Sequence, residues 1–405
     1  MRKFPSSADV AGLHDWLIDA GIAGVRVPDL FDGCCRRLLA AGLPIARGYL
    51  SFATLHPLLW ATGVIWRSGE GGEPVALAHG YQATPAWRSS PFRYMLETNT
   101  LRLRRRLVGE GAELDFPVLQ EFSEAGLSDW LGLLYRFGWT VEERGLGELG
   151  VIVSWATDRP DGWAAEELHI LENLSRTLAL AFRGSSSRGT VLDLLSAYLG
   201  QDAAERVIAG HVRRGSVLRS MAAILHADLS GFTAFAEATP PEEVARRLNG
   251  YFDCMGEPIK AAGGEILKFV GDGLFALFLL DRDDEAKKVA VAALGAAREM
   301  LARTRQLNLE ERDAGHPVLE VDVALHLGEV TYGNVGTADR LDFTVIGPAV
   351  NEVTRIEELC SSLGLHLLIS DSFARVAPSV RAELRSLGHH RLPGVVGTRE
   401  LFTSA

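Results

Sequence analysis

The stretch that decides the fold reads MAAILHADLSGFT and covers residues 221–233. Its apolar first part, Met221 to Ala227, predicts a buried strand, and Gly231 predicts a turn into a helix. Asp228 stands where that strand ends, so it offers a hard oxygen ligand to Mg²⁺ beside helix-start N–H groups that can hold phosphate oxygens. Taken alone, an aspartate at a strand end is more often an ordinary turn or cap residue.

A second aspartate follows in a predicted hairpin. The runs 265–270 and 274–280 read as two strands joined by Gly271-Asp272-Gly273, whose glycines let other groups approach the backbone closely. Asp-Gly is also a common hairpin turn, so Asp272 by itself indicates no function. Two carboxylates on neighbouring strands, however, suit a pair of metal ions about 3.5–4 Å apart. Together, the two aspartates predict metal-assisted phosphate chemistry.

The rest of the C-terminal half alternates strands and helices in a βαββαβ order. Thr239-Pro240-Pro241-Glu242 has the form of a capping box at a helix start. The elements expected after it are a helix from about Asp284 to Thr304, strands from Leu319 to Leu327 and from Val330 to Tyr332, and a strand–turn–helix from Phe343 to Leu359.

Four more residues of this half are candidates for nucleotide binding. Considered alone, Lys268 would be interpreted as a solvent-facing lysine on a strand, and Thr344 as an ordinary strand residue. Asn351 and Arg355 share one helix face at i and i+4, where an amide and a guanidinium could meet a ribose and a phosphate. Without the rest of the pattern, that pair would be read as a solvated helix surface.

Three stretches of this half occur in a fixed order that identifies a family. They are DLSGFT at 228–233, GGEILKFVGD at 263–272 and FTVIGPAVNEVTR at 343–355. With them, the segment from about residue 218 to 402 resembles the catalytic domain of class III adenylyl and guanylyl cyclases. The resemblance implies an α+β fold with a ferredoxin-like βαββαβ core.

The resemblance also implies how metal and phosphate are bound. Asp228 and Asp272, with the Leu229 carbonyl, would hold two Mg²⁺ or Mn²⁺ ions per site. The residues that would meet phosphate oxygens are Ser230, Gly231, Phe232 and Thr233, with Arg391 or Arg399 in the final hairpin for the β- and γ-phosphates. That hairpin departs from the lysine-bearing form of the family.

The nucleotide and the reaction follow from the same resemblance. Lys268 and Thr344 would read the adenine, Asn351 would orient the ribose, and Arg355 would stabilise charge on the α-phosphate. In this family a lysine with a threonine partner goes with ATP, whereas a glutamate with a small partner goes with GTP. The expected activity is adenylate cyclase, which forms 3′,5′-cyclic AMP and pyrophosphate at two sites of a homodimer, each with its metal aspartates on one subunit and its other site residues on the second.

Two alternatives remain open at this point. Guanylate cyclase is disfavoured by Lys268 and Thr344. A catalytically silent nucleotide-binding signalling module is disfavoured by the presence of both aspartates together with Asn351 and Arg355.

The N-terminal half predicts a separate α/β sensor domain. Helical segments at 8–20 and 28–41 precede β-like stretches at 49–54, 63–67 and 75–79, and a strand at 151–155 leads into an amphipathic helix from near Trp163. This order, with DGWAAEEL at 161–168, resembles a GAF-type sensor domain, for which a small-molecule ligand is expected. His56 and His79 are isolated histidines, which are more often ordinary residues than haem or metal ligands.

A polar run separates the two halves. GSSSRG at 184–189 predicts a break between two helices. The expected organisation is a GAF-like sensor domain over 1–183, a helical linker that transmits a signal over 184–218, and the cyclase domain over 219–405. The linker either pairs with its copy in a dimer or packs as a spacer on its own domain, since heptads are not sustained over three repeats.

Composition limits the partners and the compartment. The net charge of −11 argues against a nucleic-acid partner or an anionic membrane surface, both of which favour a basic face. The most apolar stretch, 49–66, is interrupted by polar residues, so membrane insertion is not expected. Four cysteines without metal-ligand spacing predict reduced thiols in a cytoplasmic protein.

Overall fold

A computed structural model describes residues 5–140, 148–280 and 285–404 of the chain. It forms two compact units, Met1–Ala197 and Tyr198–Ala405. In the described ranges, no helix combines the length and the apolar character that a membrane span requires. Each unit is built on one sheet with helices on both faces, so the architecture is mixed α+β.

The N-terminal unit contains a six-stranded antiparallel sheet in the order β3-β2-β1-β6-β5-β4. Its strands are β1 (Arg47–Ala53), β2 (Leu59–Arg67), β3 (Gly71–Ala78), β4 (Arg102–Arg106), β5 (Asp129–Thr140) and β6 (Glu148–Thr157). Its helices are α1 (Ser7–Ala23), α2 (Val27–Ala40), α3 (Pro85–Arg88), α4 (Pro91–Glu97), α5 (Pro117–Glu124) and α6 (Ala165–Leu199), with a 3₁₀ turn at Tyr81–Ala83.

Alternation along β1 assigns the two faces of this sheet. Leu50 packs with Leu17, Leu30 and Leu171 in the core under α1, α2 and α6. Tyr49 points the other way and stacks on Phe92 of α4. The sheet therefore carries three long helices on one face and three short ones on the other.

The predicted helix break at 184–189 is wrong, because α6 runs without interruption from Ala165 to Leu199. Gly184 is a packing residue: a Cβ there would meet the Gly21 carbonyl oxygen of α1 at 2.9 Å. The Ser187 hydroxyl donates to the Arg183 carbonyl one turn earlier at 2.7 Å, so its polar group is satisfied inside the helix. The predicted linker thus begins within the last helix of the N-terminal unit.

His56 and His79 hold the turn between β1 and β2. The Nδ1 atom of His56 accepts from the backbone N–H groups of Leu58 and Leu59, and His79 Nε2 lies 2.9 Å from the His56 carbonyl oxygen. These bonds give both histidines an ordinary structural role.

The C-terminal unit contains an eight-stranded sheet in the order β13-β14-β12-β10-β7-β9-β8, with β11 paired to the far end of β10. Its strands are β7 (Val217–Ser230), β8 (Glu265–Val270), β9 (Gly273–Leu280), β10 (Glu320–Gly336), β11 (Leu341–Ile346), β12 (Leu367–Ser370), β13 (Leu384–His390) and β14 (Arg399–Ser404). Its helices are α7 (Gln201–Ile208), α8 (Phe232–Ala238), α9 (Pro241–Ala261), α10 (Ala286–Asp313), α11 (Pro348–Glu357), α12 (Leu359–Leu363), α13 (Asp371–Arg375) and α14 (Pro378–Ala382).

The central strand β7 separates two cores. Ala223 and Leu225 pack on the side of α9 and α10, whereas Ala222 and Ile224 pack on the side of α11. Because side chains alternate along a strand, His226 and Asp228 continue the α11 side. The predicted site strand is thereby placed in the middle of the sheet.

Two sequence expectations for this unit need revision. The strands expected at 319–327 and 330–332 form one strand, because Gly328 is extended and not a turn. A Cβ at Gly328 would lie 2.6 Å from the Ala349 Cβ, so glycine is needed where α11 crosses β10. The helix expected from Asp284 begins at Ala286, and Asp284 itself lies outside the described residues.

Candidate active site

Two aspartates meet at the ends of neighbouring strands. Asp228 lies near the end of β7, and Asp272 lies in the turn between β8 and β9. β7 and β9 pair antiparallel down to Ala227 and Leu274, which brings the turn beside Asp228. A Cβ on Gly273 would approach the Asp228 Oδ1 atom to 2.5 Å and the Ala227 carbonyl oxygen to 2.6 Å. The close approach of the two strand ends therefore depends on glycine at 273.

The two carboxylates share a strongly acidic environment. Burial, and then the neighbouring charges of Asp272 and Asp322, raise the pKa of Asp228 to about 6. Burial also raises the pKa of Asp272, whereas hydrogen bonds from the backbone N–H groups of Asp272 and Leu229 lower it. Like-charge repulsion of this kind is relieved by a cation.

Sequence reasoning missed two further carboxylates at this site. Asp322 lies directly opposite Asp228 in the β7–β10 ladder, and its Oδ1 atom is 2.7 Å from His366 Nδ1. Glu357 lies at the end of α11, and burial followed by Asp228 and Asp322 raises its pKa to about 8. The available signal was an aspartate in the apolar run 319–327, where a charged residue is unusual.

His226 lies beside the acidic cluster without joining it. Its ring stacks on Phe275 with centroids 4.1 Å apart, and its Nδ1 atom is 3.7 Å from Glu357 Oε2. Burial lowers the pKa of His226 to about 4, so the ring is neutral at physiological pH. No described residue forms a hydrogen bond with its Nδ1 atom.

The donor set fits Mg²⁺ or Mn²⁺ held jointly with a substrate. Within the described ranges, no three histidine, cysteine or acidic side chains are grouped as a complete metal site. Mg²⁺ is commonly bound by one or two carboxylates together with substrate phosphates, and Asp228 and Asp272 supply that number. Burial raises the pKa of both aspartates, and the neighbouring carboxylates Asp272 and Asp322 raise that of Asp228 further.

Lys268 and Thr344 lie along one edge of the unit. Lys268 Nζ is 3.2 Å from Asp342 Oδ2. Asp342 and Thr344 are two residues apart on β11, so their side chains share a face, while Phe343 between them packs edge-on against Tyr332. The Lys268–Asp342 pair is solvent-exposed, and exposed pairs are weak, about 0–1 kcal/mol. The lysine can therefore turn to a ligand at little cost.

Asn351 and Arg355 are exposed on α11. Arg355 forms a bidentate pair with Glu358, with Nη1 at 2.5 and 2.8 Å from its two carboxylate oxygens. Arg355 precedes Glu357 by two residues, so the two side chains point about 200° apart around the helix. The helix thus presents Glu357 to the aspartates of its own chain and presents Asn351 and Arg355 elsewhere.

The predicted phosphate ligands fall into two groups. Ser230, Gly231, Phe232 and Thr233 form the turn from β7 into α8, and Gly231 has φ 85° and no side-chain cap. Arg399 instead donates to Glu352 at 2.7 and 3.4 Å and to the Val396 carbonyl oxygen. Arg391 lies in the loop before β14. In this conformation, Arg399 is therefore occupied by a protein carboxylate.

Comparison with known proteins covers this unit. The family model "Adenylate and Guanylate cyclase catalytic domain" matches residues 218–402. An adenylate cyclase of Anabaena cylindrica is 39% identical over 153 residues, which make up 38% of this chain and 30% of that protein. Adenylate cyclase 1 of Rhizobium meliloti (strain 1021) is 28% identical over 186 residues, 46% of this chain and 28% of its own length. The chain thus spans less than a third of these curated relatives.

Solved structures resemble a little under half of the chain. The adenylyl cyclase CyaB from P. aeruginosa is 27% identical and covers 47% of this chain and 95% of its own, with a TM-score of 0.42. The guanylyl cyclase Cya2 is 31% identical and covers 46% of this chain and 93% of its own, with a TM-score of 0.40.

Proposed function

Because the model of the adenylate and guanylate cyclase catalytic domain matches residues 218–402, we propose that this chain is an adenylate cyclase. It would convert ATP into 3′,5′-cyclic AMP and pyrophosphate. The observation that carries the choice of ATP is the position of Lys268 on the edge that bears Thr344. The finer description of the fold, a ferredoxin-like core in this unit, belongs to the same proposal.

The chemistry of the two bases explains that choice. An ammonium group is a donor only, and a threonine hydroxyl both donates and accepts. Adenine presents a ring nitrogen that accepts and an amino group that donates, so Lys268 and Thr344 complement it. Guanine presents N–H and amino donors at the corresponding edge, for which a carboxylate would be the matching side chain.

The acidic end would hold the metal ions and the phosphates. Asp228 and Asp272, with the Leu229 carbonyl, are the proposed ligands, and the turn 230–233 would receive phosphate oxygens through its N–H groups. Two bound Mg²⁺ or Mn²⁺ ions would lower the pKa of the 3′-hydroxyl and neutralise the departing pyrophosphate. The protein itself positions the reacting groups and compensates their charge.

The orientation of α11 supports a site shared by two subunits. Asn351 would orient the ribose and Arg355 would stabilise charge on the α-phosphate, yet both point away from the helix face that carries Glu357. A second copy of the chain in a symmetric homodimer would bring these two residues to the aspartates of the first. One dimer would then contain two sites. Arg399 would reach the β- and γ-phosphates only after leaving Glu352.

The N-terminal unit would act as a GAF-like sensor that regulates the cyclase. Its antiparallel sheet with helices on both faces is compatible with that proposal. The free state of Cys34, Cys35, Cys254 and Cys360 is compatible with a reducing, cytoplasmic setting. A variant without residues 1–183 tests the regulation, since unchanged activity and unchanged response to cell extract would contradict it.

One assay tests the activity. The full chain is incubated with ATP or GTP and with Mg²⁺ or Mn²⁺, and the products are separated by chromatography. We expect cyclic AMP from ATP, a loss of about 100-fold or more in Asp272→Ala, and unchanged activity in Asp313→Ala, which removes an exposed carboxylate at the end of α10. Equal product from the wild type and Asp272→Ala would refute the metal assignment, and cyclic GMP as the main product would refute the choice of ATP.

A further inference from the structure

The N-terminal unit encloses a cavity of about 340 Å³ on the face of its sheet that carries the short helices α3, α4 and α5. The lining comes from these helices and from strands β1, β2, β3, β5 and β6. This volume lies at the small end of the range of about 300–1,000 Å³ found for ligand pockets. A single small molecule would fill it.

Aromatic rings from several elements line the wall. Trp60 and Trp87 meet edge to face with centroids 4.7 Å apart, and Tyr49 stacks on Phe92 at 5.3 Å. Trp130 lies behind Phe92 at 5.9 Å. The rings leave a space whose inner surface matches a flat apolar group.

Arg47 is the one cation among the described lining residues. Its guanidinium lies over the rings of Phe122 and Tyr49, 4.7 and 5.8 Å from their centroids. No described carboxylate lies within ion-pair distance of Arg47, although Glu121, the other charged lining residue, is exposed on α5. Its cross-strand neighbour is Arg67, a like charge that is itself paired with Glu70 and Glu73.

This arrangement is costly for the protein alone. Burial and then the charge of Arg67 lower the pKa of Arg47 to about 10, so the side chain remains protonated at neutral pH. A largely buried cation that has only ring contacts loses hydration without gaining a counter-charge. A planar carboxylate is the group that a guanidinium fork matches best.

Trp130 lines the wall with its ring, but its indole N–H is fully buried and forms no hydrogen bond with any described residue, so a ligand in the cavity does not reach it. Two serines of the lining are already engaged: Ser89 donates to the Pro85 carbonyl oxygen, and Ser90 accepts from the Arg93 N–H. Arg47 is therefore the group on which the choice of ligand rests.

We propose that this cavity binds a small aromatic carboxylic acid, whose carboxylate lies on the Arg47 guanidinium and whose ring lies among Trp60, Trp87 and Phe92. The guanidinium supplies donors only, and the carboxylate supplies acceptors only.

Calorimetric titration of the full chain tests this assignment without reference to cyclase turnover. The probes are phenylacetate and indole-3-acetate, each beside its neutral amide, and cyclic AMP. We expect at least one acid to bind, and its amide to bind about 10- to 100-fold more weakly because the charge-assisted hydrogen bonds are lost. Arg47→Gln should remove the difference between acid and amide.

The matched control is Arg67→Gln, which removes the exposed cross-strand arginine and should change the affinity for the acid less than about threefold. Binding of neither acid, equal binding of acid and amide, or preferential binding of cyclic AMP would overturn the proposal. If circular dichroism shows that Arg47→Gln does not fold, the acid–amide comparison on the wild type still decides the outcome.

Discussion

The two units bury charge of opposite sign. In the C-terminal unit, Asp228, Asp272, Asp322 and Glu357 gather at the end of the central strands, where burial, and then their mutual repulsion, raises the pKa of Asp228 and of Glu357. In the N-terminal unit, Arg47 sits in an aromatic cavity beside another arginine. Each site carries an excess of one charge, and its proposed ligand carries the opposite charge. An unbalanced buried charge therefore marks the place where binding is expected.

The two units differ in how far the sequence alone reveals the buried charge. Asp228 and Asp272 belong to recognisable sequence motifs, whereas Asp322, Glu357 and Arg47 belong to none. Only the fold brings Arg47 under α5 and beside Tyr49. Four predictions test this comparison.

The largest effect should come from dividing the acidic site between two subunits. Asp272→Ala and Arg355→Ala should each lose about 100-fold or more of the activity, since each removes charge that acts on the phosphates. A heterodimer of the two variants, purified through two affinity tags, should regain about half of the wild-type activity because one of its two sites is intact. The heterodimer of Asp272→Ala with Asp228→Ala should stay inactive. Recovery in that control, or none in the first pair, would contradict the shared site.

The second prediction concerns the base. Lys268→Glu combined with Thr344→Ala replaces a donor by an acceptor, so the ratio of kcat/KM for ATP to that for GTP should fall at least about tenfold. The control is Lys260→Glu, which makes the same change at an exposed position on α9. An unchanged ratio in the double variant would show that this edge does not read the base.

The third prediction uses pH to test whether Asp228 and Glu357, the unbalanced acids of the cluster, destabilise the fold when they are ionised. The folded-state pKa values of Asp228 and Glu357 are raised to about 6 and about 8, so the folded protein holds protons more tightly than the unfolded chain does. Their stabilising contribution is complete below about pH 4 and is lost as the pH rises to about 8. In EDTA, Glu357→Gln should therefore raise Tm by a few °C at pH 8, which corresponds to a gain of about 1 kcal/mol in the free energy of unfolding. At pH 4 the substitution should hardly change Tm.

Glu310→Gln is the control for that experiment, because Glu310 is an exposed acid on α10. Its Tm difference from the wild type should not change with pH. A constant difference for Glu357→Gln as well would remove the electrostatic explanation.

The smallest effect should come from a carboxylate that already has partners. Asp202 of α7 accepts from the Tyr332 hydroxyl and from Arg206 Nε, both at 2.6 Å. Tyr332→Phe removes one of these donors and should lower the free energy of unfolding by about 1 kcal/mol in urea denaturation. The sign is opposite to that expected for Glu357→Gln. A gain of stability in Tyr332→Phe would contradict the distinction between partnered and unbalanced acids.

Local patterns predicted the central part of the C-terminal unit well. The apolar run before Asp228 and the Gly-Asp-Gly turn are local signals, and the structure forms β7 and the β8–β9 hairpin from them. The roles of Lys268, Thr344, Asn351 and Arg355 stay predictions. The contributions of Asp322 and Glu357 could not be foreseen, since they depend on the pairing of β7 with β10 and on how α11 packs.

The same limit explains the errors elsewhere. The run 184–189 reads as a helix break, and two separate strands are expected on either side of Gly328, but in both places glycine allows two elements to pack closely. Glycine gives the same sequence signal in a turn and at a crossing, and only the tertiary partner, α1 for Gly184 or α11 for Gly328, distinguishes them. Likewise, the pairing of Arg399 with Glu352 joins residues far apart in the chain.

The close approach at Gly273 should have a consequence that mutagenesis can detect. It has no functional group, yet any side chain there would collide with Asp228 and with the backbone of Ala227. In a saturation mutagenesis scan scored on product formation, position 273 should tolerate no replacement, even alanine, and would rank with the aspartates. This intolerance would reflect the space that Asp228 needs beside position 273. Glycine at 273 and aspartate at 228 would therefore be required together.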